Sequence, residues 1–100
     1  METLNDLIQS EQPVLIDFYA DWCQPCKAMQ PVIQQVAKDM TGKARIVKVN
    51  IDKNVAAARQ YAITGVPTFM LFKKGAVVWR HSGTIDKSSL LQVMTSNMAV

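Results

Sequence analysis

Long hydrophobic runs, clustered charge, internal repeats and metal-ligand spacings are all missing from this 100-residue chain. No stretch approaches the roughly 20 apolar residues that a membrane-spanning helix requires, so no membrane association is expected. The N-terminus, Met1-Glu-Thr-Leu-Asn-Asp6, is polar and acidic, without the basic and apolar regions of a secretory signal. Basic residues outnumber acidic ones by 11 to 8, yet only Lys73 and Lys74 are adjacent. Nucleic-acid binders gather Lys and Arg on one face; this scatter reads as a mildly basic solvated surface, and no nucleic-acid partner is expected. No Gly-rich dinucleotide fingerprint occurs, so no cofactor is expected. The lone histidine, His81, has no companion at metal-ligand spacing and reads as an ordinary sheet or surface residue. Cysteine is scarce too, with two residues in the whole chain.

Apolar residues make up 49% of the sequence and fall in short blocks between turn signals, enough to bury a core. The length suits one compact domain over residues 1–100. Leu4, Leu7 and Ile8 predict a short amphipathic helix near residues 3–10. Val14-Leu-Ile-Asp-Phe-Tyr-Ala20 is a nearly continuous apolar run, as in a central strand covered on both faces. Met29, Val32, Ile33, Val36, Ala37 and Met40 keep helical spacing up to Gly42, with Pro31 inside the helix and expected to bend it. Residues 44–51 read as a second strand, and Asn54 as the cap of a short helix reaching about Tyr61. Residues 68–72 and 77–79 form a predicted hairpin, and a last helix follows Asp86 with Leu90, Leu91, Met94 and Met98 on its apolar side. Trp79 and the methionines read as packing residues. The order α-β-α-β-α-β-β-α requires one parallel crossover and one antiparallel pair. The expected fold is a three-layer α/β/α sandwich around a four-stranded mixed sheet with four helices.

Cys23 and Cys26 lie where the first strand gives way to the long helix. A disulfide closing so small a loop stabilises by roughly 2 kcal/mol before strain, a weak staple. A structural zinc site wants four ligands, which one chain does not offer, although a dimer could share a metal. Reversible thiol–disulfide chemistry is the economical reading. A sulfur at the helix start faces unpaired N–H groups and the positive end of the helix dipole, which favour thiolate. Lowering a thiol pKa from about 8.5 to about 7 raises the thiolate fraction at pH 7 from roughly 3% to roughly 50%. Lost nucleophilicity leaves a net gain in attack of only about threefold, so the better leaving group matters as much. Cys26, one turn further in, is expected to be the more buried sulfur. Asp17 interrupts the apolar strand. It is either an edge residue facing water or a buried acid of raised pKa able to take the proton of Cys26. Lys48, in the next strand, either moderates that shift or is simply solvated.

The set Asp17-Phe-Tyr-Ala-Asp-Trp-Cys-Gln-Pro-Cys-Lys27, Pro31, Val49-Asn-Ile-Asp52, Gly65-Val-Pro-Thr68, Phe72-Lys-Lys-Gly75 and Gly83 resembles the thioredoxin family in order and spacing. The resemblance covers about residues 17–83. It implies that Cys23 is an exposed nucleophile, Cys26 the resolving thiol, Asp17 the buried acid behind it and Lys48 the partner of Asp17. It further implies a cis Pro67, with the Val66 backbone pairing to a substrate strand. Trp22, Gln24, Pro25, Gly65, Val66, Pro67 and Gly83 would form the docking surface. The implied partners are disulfide-containing proteins and, as electron donor, a flavin-dependent thioredoxin reductase drawing on NADPH; the implied state is a cytoplasmic monomer. Three departures stand out. Gln24 replaces the usual Gly between the cysteines, and Tyr19 replaces the commonest Trp. The chain also starts almost at the first helix, where most members have an extra strand. The competing readings are an oxidant or isomerase, which typically carries His where Pro25 stands, and a binding or assembly module that does not use its thiols.

Overall fold

A computed structural model describes residues 3–98 and contains α1 (Leu4–Ile8), β1 (Val14–Tyr19), α2 (Gln24–Asp39), β2 (Arg45–Asn50), α3 (Val55–Gln60), β3 (Thr68–Lys73), β4 (Ala76–Ser82) and α4 (Lys87–Ser96). The strands form one mixed sheet in the order β2-β1-β3-β4. β1 runs parallel to β2 and antiparallel to β3, and β3 pairs antiparallel with β4. The apolar run of β1 makes it an inner strand, buried from Val14 through Phe18.

Strand alternation divides the core between two faces. Leu15, Phe69 and Leu71 meet Met29, Ile33 and Val36 of α2 and Leu90 and Met94 of α4 on one side. Val14, Ile16, Phe18, Met70 and Phe72 meet Ile8 of α1, with Tyr61 and Ile63 beyond α3, on the other. The helices thus cover both faces, as the three-layer expectation requires.

Local chemistry explains most element ends. Thr3 caps α1 in a reciprocal capping box with Asp6. Asp86 caps α4 by accepting the Ser89 N–H at 3.0 Å. Asn54 stands at the N-cap of α3 but makes no cap bond; its side-chain amide donates to the Asn50 carbonyl at 3.0 Å. β4 is longer than its apolar stretch, because Arg80, His81 and Ser82 pair with β3 through the main chain on a partly exposed edge. Lys74 and Gly75, both at positive φ (52° and 84°), form the two-residue turn between β3 and β4. Pro31 lies inside α2, which continues to Asp39.

Candidate active site

β1 ends at Tyr19, and the chain turns through Ala20 into α2, with the Cys23 N–H bonded to the Ala20 carbonyl at 3.2 Å. Cys23 is the N-cap of α2, and its sulfur accepts the Cys26 N–H at 3.1 Å. That bond places Cys23 Sγ where orphan N–H groups and the helix dipole favour negative charge. Pro25 occupies the first turn, where a missing N–H costs nothing. The two cysteines are joined by a disulfide, with Cα atoms 5.2 Å apart.

One expectation needs correction. Cys23 is not the exposed partner of a buried Cys26: the two are 4% and 5% exposed. The disulfide holds both sulfurs as one unit in a cluster with Ala20, against which Tyr19, Ile51 and Val66 pack. What protrudes beside them is Trp22, 67% exposed, together with Gln24 and Pro25. The Trp22 indole is nevertheless held, donating from Nε1 to Asp52 Oδ2 at 3.0 Å. Asp52 is fixed in turn by buried Asn50, whose Oδ1 accepts the Asp52 N–H at 2.9 Å and the Lys53 N–H at 3.3 Å.

Asp17 is buried, which decides between its two readings: β1 lies between β2 and β3 and offers no edge to water. Its Oδ1 has no hydrogen-bond partner. Burial raises its pKa from the ordinary 3.8 to about 6, with the Lys48 charge pulling the other way. Strand alternation puts Asp17 on the face of Leu15, which α2 covers through Met29 and Ile33. Cys26 continues that same buried stripe of α2 toward the helix start. Lys48 stands opposite Asp17 in the β1–β2 register. Its residue is exposed, and its ammonium sits 4.6 Å from the centroid of the Tyr19 ring. Lys48 therefore acts on Asp17 through its charge while remaining solvated.

The third segment arrives from α3. The Val66–Pro67 peptide bond is cis. Thr68 Oγ1 donates to the Gly65 carbonyl at 2.6 Å and lies 3.1 Å from Ser82 Oγ. The Gly83 N–H donates to the Pro67 carbonyl at 2.8 Å, with Gly83 at φ +99°. Gly65 is exposed and Val66 half-buried against the cysteines, while Pro67 is fully buried. Sequence reading assigned no role to Asn50, Asp52, Thr68 or Arg80. The Asn50–Asp52 and Gly65–Thr68 contacts are local, and the Asn-Ile-Asp string could have signalled the first, whereas Trp22–Asp52, Thr68–Ser82 and the bonds from Arg80 to the Tyr61 and Ala62 carbonyls join residues far apart in sequence. His81 stacks on Trp79 with ring centroids 5.8 Å apart and reaches the Thr84 carbonyl. Among the described residues no three His, Cys, Asp or Glu side chains group as metal ligands, and no helix is long and apolar enough to cross a membrane.

Residues 1–96 match the family model described as Thioredoxin. The chain is 41% identical over 93 residues to a thioredoxin of Pseudomonas aeruginosa, covering 93% of this chain and 86% of that protein. It is 45% identical over 92 residues to thioredoxin 1 of Chlorobaculum tepidum, covering 91% of each. Among solved structures, a point mutant of thioredoxin from Halobacterium salinarum matches with a TM-score of 0.89 at 36% identity, over 97% of this chain and 84% of that one.

Proposed function

This chain belongs to the thioredoxin family and is a protein-disulfide reductase, and on that footing we propose how its residues divide the work. Cys23 thiolate attacks one sulfur of a partner disulfide, forming a mixed disulfide and releasing the partner's other sulfur as a thiolate that takes up a proton. Asp17 takes the proton of Cys26, and the resulting Cys26 thiolate attacks Cys23 Sγ. The partner's second sulfur leaves as a thiolate that takes up a proton as Asp17 gives up its own, and the Cys23–Cys26 disulfide closes. Two electrons pass to the partner in each cycle. Lys48 tunes Asp17 by its charge.

Trp22, Gln24, Pro25, Gly65, Val66 and Gly83 form the docking surface, with the Val66 main chain pairing to the partner's backbone; Pro67 is fully buried and shapes the loop from inside rather than lining that surface. A flavin-dependent thioredoxin reductase using NADPH restores the dithiol, and the protein works as a monomeric reductant in the cytoplasm. Pro25 before the second cysteine supports the reductant over the oxidant or isomerase. The observation that carries the mechanism is the Cys23 sulfur accepting the Cys26 N–H at the start of α2, on the side of the sheet where Asp17 is buried.

Three measurements test it. Cys23→Ser should abolish disulfide reduction, and Cys26→Ser should accumulate the mixed disulfide, both read by mass analysis after thiol trapping. A double serine variant that still supports the protein's role in cells would overturn the catalytic reading. The reduction potential, from equilibration in dithiothreitol buffers, should lie near the general thioredoxin figure of about −270 mV. A value above about −200 mV would make the protein an oxidant or isomerase.

A further inference from the structure

α3 ends without the glycine that helix ends of this shape favour. Its closing bonds run from the Ala62 N–H to the Arg59 carbonyl at 3.1 Å and from the Ile63 N–H to the Ala58 carbonyl at 2.9 Å. This pairing reverses the chain through a left-handed residue after the cap. Here that residue is Ala62, at φ +52°. Glycine adopts such a φ freely, whereas an alanine Cβ opposes it. Something else must hold the turn.

Arg80 does so from β4. Its Nη1 donates to the Tyr61 carbonyl and its Nη2 to the Ala62 carbonyl, the latter at 2.8 Å. The two carbonyls are consecutive, and the planar guanidinium fork spans them as a lysine ammonium could not. Its charge also faces the negative end of α3. From the inside, the Tyr61 ring is lodged against Phe18 and Phe72, with centroids 6.1 and 5.3 Å apart. Residues 61 and 62 are thus fixed from both sides, and Val66 packs on the cysteines four residues beyond Ala62. The far end of this loop is tied by Thr68 and Gly83. Arg80 supplies the matching tie at the near end.

We infer that Arg80 is a positioning residue for protein disulfides: by holding the left-handed exit at Ala62, it sets where Gly65 and Val66 stand against the dithiol. The inference rests on the proposed reading of Gly65–Val66 as the place where a partner's backbone docks. A small disulfide needs the dithiol but not that docking.

The test mixes fully reduced protein with excess insulin or excess bis(2-hydroxyethyl) disulfide and follows tryptophan fluorescence as the Cys23–Cys26 disulfide closes. Arg80→Ala should lower the second-order rate with insulin by roughly tenfold, the scale of one charge-assisted hydrogen bond, and change the small-disulfide rate by less than about twofold. Arg80→Lys should fall between wild type and Arg80→Ala, and it carries the test if Arg80→Ala does not fold. Adding Ala62→Gly to either variant should recover the insulin rate, because glycine no longer needs the clamp. An unchanged insulin rate, an equal loss on both disulfides, or no recovery with Ala62→Gly would overturn the inference. Gly65→Glu separates this from the docking reading: a Cβ there meets nothing within 4 Å, so the added charge should slow insulin alone. If Gly65→Glu has no effect, the docking reading itself fails; if it slows insulin while Arg80→Ala does not, only the role of Arg80 fails.

Discussion

Asp17 holds a proton in the folded chain that the unfolded chain releases at lower pH. Its pKa rises from 3.8 to about 6 because burial removes water, and Oδ1 finds no hydrogen bond in exchange. Between those values the folded state binds more protons, so the contribution of Asp17 is fully present below pH 3.8 and is lost as pH rises through about 6. A two-unit shift amounts to roughly 3 kcal/mol. Asp17→Asn keeps the shape and removes the ionisation. It should stabilise the oxidised protein by roughly 2–3 kcal/mol at pH 8 and by little at pH 4, read from denaturant unfolding at both values. An equal gain at both would assign the effect to packing instead. The same substitution should slow closure of the Cys23–Cys26 disulfide on the order of a hundredfold, measured as thiol release from a mixed disulfide. At Trp22, Asp52→Ala should lower the fluorescence anisotropy of the indole and cost less than about 1 kcal/mol, since the bond is exposed.

Turn and cap chemistry decides how well the individual elements are held. Lys74 adopts φ +52° in the β3–β4 turn, where asparagine is far better tolerated. Lys74→Asn should therefore stabilise by roughly 0.5 kcal/mol in thermal unfolding. Gly75→Ala should destabilise, because at φ +84° a Cβ is strained, even though the Gln9 amide end it would meet can move aside. The stripe Met29, Ile33, Val36 and Met40 and the run Val14–Phe18 were legible in the sequence because burial repeats at the period of each element. The left-handed Ala62 and the silent cap at Asn54 were not, since both depend on where a distant or neighbouring carbonyl happens to lie. The site divides the same way. The cysteine pair and Asp17 were readable from spacing and from a charge in an apolar strand. The equal burial of Cys23 and Cys26 was not readable, because Ile51 and Val66, which pack against the pair with Tyr19, come from segments distant in sequence.

Considered whole, the molecule is two apolar layers sharing one sheet, one of them under α2 and α4. Met94 is fully buried there among Leu15, Phe69 and Leu90. Met94→Ala should cost roughly 2–5 kcal/mol, visible as a lowered denaturant midpoint with an unchanged slope. The Lys87–Asp39 ion pair that also links α4 to α2 is half-exposed at 3.2 Å and adds little beside it. The sheet has a polarity as well. The antiparallel register sets Val14 of β1 beside Phe72, so the Lys74–Gly75 turn lies at the end away from Cys23, roughly 20 Å off by strand length. The molecule therefore offers a natural handle. Anchored to a sensor through position 74, every copy would present its reactive rim to the solution. A dye placed there would report the capture of a labelled partner by energy transfer without standing in its path.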